Sequence, residues 1–142
     1  MPVETRLFVK TSLLWLCATF ALGAAMLIAK ALGAPLGAEF SVVHAHMAFV
    51  GWLVNLVMGI ALWFLPVNRE RFPQNRGRYP VDAVRWIFLF LNVGLLLRIT
   101  FEPLADTEHA AILSGILIIS AALQLAAVLL FVTIAWSRVR QV

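Results

Sequence analysis

Long apolar runs separated by short polar breaks organise the whole chain. The runs cover roughly residues 8–32, 41–65, 82–101 and 109–136. Each reaches about the 20 apolar residues that a helix needs to cross a hydrocarbon core. The breaks carry turn chemistry: "GAPLGAE" after the first run, "PVNRERFPQNRGRYP" after the second and "FEPLADTE" after the third. The middle break holds three prolines, one glycine and four arginines, and so reads as a polar surface loop that ends both neighbouring helices. The pattern predicts an all-α integral membrane protein, a four-helix bundle, with residues 1–142 forming a single transmembrane domain.

Composition agrees with the pattern. Hydrophobic residues make up 63% of the chain and charged ones 13%, with a mean hydropathy of +0.95, which belongs to the membrane class. A net charge of +4 raises the question of a nucleic-acid partner. The distribution excludes it, because the basic residues sit in short breaks between apolar runs. Arg6, Lys10, Arg69, Arg71, Arg76, Arg78, Arg85, Arg138 and Arg140 fall on one side. Lys30 and Arg98 fall on the other, beside Glu39, Glu102, Asp106 and Glu108. Basic loops stay inside, so both termini and the arginine loop are expected in the cytoplasm. The lipid bilayer is then the principal partner, in a bacterial cytoplasmic (inner) membrane. Cys17 is the sole cysteine, which excludes an internal disulfide and a cysteine metal cluster. The first run has a basic start but is longer than a signal core, and is expected to be a retained helix.

This orientation gathers all three histidines, His44, His46 and His109, at the outer ends of two helices. Residues two apart on a helix project roughly 200° from one another, so His44 and His46 cannot readily chelate one metal together. Either they are interfacial imidazoles bonded to water or loop carbonyls, or they serve separate centres. Heme suits the second reading, being an apolar plate whose iron takes an imidazole and whose propionates need cationic partners. The second run offers Ala45, Ala48, Gly51 and Gly59 as small residues, with Phe49 and Trp52 as walls. The same small residues also suit close helix packing. Twelve residues separate Arg85 from Arg98, about 18 Å of helix against a core of about 30 Å. Arg98 therefore either meets a propionate or snorkels to the outer interface. Asn55, Asn92 and Gln124 read as interhelical hydrogen-bonding groups. Trp63, Trp86 and Trp136 read as an aromatic belt.

The segment "HAHMAFVGWLVNLVMGIALWFLPV" resembles the His-x-His helix of the catalytic subunit of heme-copper oxidases and nitric oxide reductases, in the branch that uses b-type hemes. The resemblance implies that His44 and His46 contact hemes on opposite faces of the helix, and that Arg98 pairs with propionates. It implies heme b as the cofactor. The departures are large: there are four spans where the family has twelve, and no "HH" pair. The one tyrosine, Tyr79, stands in the arginine loop. Oxygen reduction at a heme-copper centre is excluded on that ground.

The expectation is a stand-alone membrane heme protein that carries electrons or binds nitric oxide or oxygen near the outer face. Cofactor contacts are expected at His44, His46, His109, Arg98, Gly51 and Trp52, with His46 the foremost axial ligand. A second axial ligand comes from His109 or from the other copy in a homodimer; His109 also reads as a surface residue near Asp106 and Glu108. Quinol or a respiratory complex is the partner in view. The rival readings are an accessory subunit of such a complex, and a copper or zinc site using the histidines with Glu108 or Glu39.

Overall fold

A computed structural model of the chain describes residues 1–104 and 110–139. Four helices carry the fold: α1 Val3–Ala31, α2 Ala38–Phe64, α3 Val81–Phe101 and α4 Ala110–Arg138. All four are long and apolar enough to cross a membrane. The chain runs up and down, and forms two hairpins, α1/α2 and α3/α4, that meet along α2 and α3.

Large-on-small pairs set the approach of α1 to α2. A Cβ on Gly59 would lie 2.8 Å from the Phe8 Cβ, one on Gly51 2.8 Å from the Trp15 ring, and one on Gly23 2.9 Å from the His44 ring. The three pairs recur about every two turns along antiparallel helices. Close contact at small residues is the main attraction available to helices in lipid, where apolar burial gives no gain. A polar knot then ties the two hairpins together. Asn92 Nδ2 donates to Asn55 Oδ1 at 3.1 Å, Asn55 Nδ2 donates to Asn92 Oδ1 at 3.3 Å, and Trp15 Nε1 donates to the same oxygen at 3.1 Å. The asparagines are thus interhelical groups, as their isolation in apolar runs predicts.

One stretch departs from regular geometry. Residues Met47–Val54 of α2 form a π-helix, immediately after the two histidines. A π turn is wider, with i→i+5 bonds in place of i→i+4. Asn55 supports it by donating Nδ2 to the carbonyls of Val50 (3.3 Å) and Gly51 (3.0 Å). Simple α periodicity, which predicts faces well up to His46, does not hold across this segment.

The apolar core lies at the end of the bundle that holds loop 65–80. Phe8, Leu62, Val84, Ile87, Leu91 and Ala127 are all buried there. The loop is less of a free surface loop than its arginines suggest. Tyr79 is buried, and its hydroxyl stands 3.4 Å from Thr5 Oγ1. Asn68 Nδ2 donates to the Ser137 carbonyl at 2.6 Å, so the loop also grips the end of α4. Trp63, Trp86 and Trp136 are exposed at this same end, in keeping with an aromatic belt.

Burial raises the Tyr79 phenol above its ordinary value of 10.0, and Glu4 adds to the rise, while the Thr5 hydrogen bond and the charges of Arg78 and Arg138 oppose it. The unfolded chain therefore releases this proton at lower pH than the folded one. Stability contributed by the neutral phenol is full below about pH 10 and is lost as pH rises through the higher folded value. Equilibrium unfolding measured between about pH 9 and 11 should show a decline that is smaller in Tyr79→Phe.

Candidate functional site

The end of the bundle opposite loop 65–80 carries His44, His46, Arg98 and Glu102. The two imidazoles leave α2 in different directions, as their spacing requires. His46 Nδ1 lies 2.9 Å from the Val42 carbonyl oxygen. A carbonyl only accepts, so Nδ1 carries a proton, and in the neutral imidazole Nε2 has the lone pair. Imidazoles that bind metals commonly donate their second ring N–H to a carbonyl in this way, which holds the ring and raises the basicity of the other nitrogen.

His46 Nδ1 is also 3.7 Å from Glu102 Oε2. Glu102 follows the last residue of α3, where the helix macrodipole disfavours a carboxylate. Arg98, one turn earlier, offsets this with two hydrogen bonds, Nε to Oε2 at 3.3 Å and Nη2 to Oε1 at 3.1 Å. The fork leaves Nη1 able to donate to a further anion. His46, Glu102 and Arg98 therefore form one half-buried cluster. Glu102 was not among the expected site residues, although its i, i+4 spacing from Arg98 is a readable signal.

His44 faces α1 instead. Its ring packs on Gly23, and with Trp52, Thr19, Phe20 and Leu27 it lines a groove of about 470 Å³ between α1 and α2. Trp52 is thus a groove wall, on the His44 side of the helix. Gly51 is not part of any opening: it is buried, and the Trp15 ring and Leu95 occupy the space beside it. Of the two uses foreseen for the small residues, helix packing is the one seen at Gly51 and Gly59. His109 and Glu108 lie outside the described residues. Among the described residues, no three His, Cys, Asp or Glu side chains gather into a group able to hold a metal ion.

No family model matches this chain, and no curated protein or solved structure matches it either. Fold and site together define a multi-pass, all-helical membrane protein with its two described histidines at one end of the bundle.

Proposed function

We propose that this chain is an integral membrane b-type heme protein in which His46 is an axial ligand. The observation that carries the reading is the Val42 carbonyl 2.9 Å from His46 Nδ1, which orients the ring and leaves Nε2 as the nitrogen free to meet a metal. Arg98 supports it, since its guanidinium stands in the same cluster with donors to spare for a propionate. A heme held there supplies one-electron transfer when both axial positions are filled, and diatomic gas binding when one is open. The chain's own contribution is to orient the imidazole through its Nδ1 contact and to place a cation beside it.

A second imidazole would come from His109 or from a second copy of the chain in a two-fold dimer. The distribution of basic residues supports cytoplasmic termini, which puts the His46 cluster near the outer face; we extend the proposal to a bacterial inner membrane and to a quinol or a respiratory complex as redox partner.

The test is absorption spectroscopy on protein purified in detergent after heme-sufficient expression. The wild type should show a Soret band and reduced α and β bands. His46→Ala should lose most of that absorbance at equal protein concentration. A colourless wild type, or an unchanged spectrum in His46→Ala, overturns the proposal.

A further inference from the structure

Hydroxyl groups inside these helices are, with one exception among the buried ones, satisfied within the protein. Ser12 Oγ donates to the Val9 carbonyl at 2.7 Å, Ser120 Oγ to that of Gly94 at 2.7 Å, and Ser137 Oγ to that of Ile134 at 2.8 Å. The first and last bond back to their own helix, the ordinary fate of a hydroxyl in an apolar helix, and Ser120 reaches across to α3. Thr19 is different: it is 4% exposed and its Oγ1 has no partner. Among the described residues, the only other buried side-chain polar atom without a partner is His44 Nδ1. Both residues line the same groove between α1 and α2.

We propose that this groove binds an uncharged amphiphile taken from the bilayer, bearing a hydroxyl on an apolar body. Thr19 Oγ1 can donate or accept, and so can His44 Nδ1 according to its tautomer. A hydroxyl does both from one oxygen and so can pair with either group whichever way its proton points. A carboxylate or amine would bring a charge into a groove with no Lys, Arg, Asp or Glu in its lining. The cavity of about 470 Å³ is of the size that holds small ligands. Its apolar wall includes Trp52, and Phe20 and Leu27 at its edge are exposed to the lipid side, which gives entry for an apolar tail. Gly23 makes the site possible, because a Cβ there would come within 2.9 Å of the His44 ring and displace it. The site lies on the opposite side of α2 from the His46 cluster and does not depend on iron being bound there.

The test is photolabelling of the purified full chain in lipid nanodiscs with a diazirine-bearing long-chain alcohol, mapped by mass spectrometry. The matched diazirine alkane is the control. The alcohol should label Thr19–Leu27 and Ala48–Trp52 saturably, and excess unlabelled alkanol should compete, whereas the alkane should label lipid-facing residues without saturation. Competition by a long-chain alkylphenol at lower concentration than by the alkanol would mark the source as a ring-borne hydroxyl, and equal competition would mark any membrane alcohol; no competition by alkanol overturns the proposal. Thr19→Val keeps the shape and removes the hydroxyl; half-saturation should rise about three- to tenfold. Its thermal midpoint without ligand should not fall below that of the wild type, since an unpaired buried group has been removed. Equal, non-saturating labelling by alcohol and alkane, or no effect of Thr19→Val on half-saturation, overturns the proposal. So does loss of the heme Soret band in His44→Leu protein with His46 intact, because the groove then belongs to the porphyrin.

Discussion

Arg138→Ala should lower the stability of the protein by about 3 kcal/mol or more, the largest loss expected for a single polar residue in it. The reason begins with Pro66. In a continuing helix, the carbonyl of Leu62 would accept from the N–H of residue 66, but proline has none. Proline also pushes the preceding residue out of the helical region, and Leu65 has ψ 142°. The last carbonyls of α2 are thus left without helical donors at the edge of the hydrocarbon, where an unpaired carbonyl costs several kcal/mol. Arg138, at the end of α4 and 1% exposed, replaces those donors. Nη1 donates to Leu62 O at 2.9 Å, Nε to Pro66 O at 3.0 Å, and Nη2 to Leu65 O. Its guanidinium carbon stands 5.7 Å from the Tyr79 ring centroid, which adds a cation–π contact.

Removing this side chain frees three carbonyls at once and detaches α4 from α2. Arg138→Lys should recover only part of the loss, because one ammonium lacks the planar fork that reaches three acceptors. Unfolding by SDS in mixed micelles reads both. A change below about 0.5 kcal/mol in Arg138→Ala would show that the clamp adds nothing to the bundle.

Gly51→Val should cost about 2–4 kcal/mol, and under the heme function proposed above it should leave the heme content per folded molecule unchanged. A Cβ at residue 51 would lie 2.8 and 2.9 Å from Trp15 ring atoms and 3.1 Å from Leu95 Cδ2. Trp15 must then move, which strains the hydrogen bond from its Nε1 to Asn92 and loosens the knot between the hairpins. Valine adds two methyl groups beyond that Cβ, inside a helix that is already π-wound. The check is paired: the unfolding midpoint and the Soret absorbance of the fraction that remains folded. A loss of heme at unchanged stability would return Gly51 to a cofactor pocket and contradict its role in packing.

Much of the architecture is readable from residue order. Hydrophobic runs long enough for a bilayer, broken by proline- and arginine-rich segments, leave little alternative to four antiparallel helices, because lipid forbids unpaired backbone. The opposed directions of His44 and His46 are equally readable, since two residues of α-helix fix the angle between them. Boundaries follow within a few residues, the largest differences being at the starts of α1 and α2. Arg138 shows where such reading stops. As a basic residue near the end of an apolar run it looks like a cytoplasmic charge, yet it is buried, because Pro66, distant in sequence, leaves carbonyls beside it that need a donor.

Thr19 and Glu102 show the same limit. A lone threonine in an apolar helix normally bonds to its own backbone, and only the position of α2 reveals that Thr19 faces a groove with His44. Glu102 gains its importance from Arg98 on its own helix and from His46 on another.

By itself, then, the order of residues determined the helix count, the up-and-down course of the chain and the divergence of the two histidines, all of which follow from local geometry and the demands of lipid. Tertiary structure alone decided that Gly51 is filled by Trp15 and that Thr19 and His44 share one groove. Those features depend on which helix faces which, and on side chains that meet across tens of residues of sequence. No single run of the chain contains both halves of such a contact.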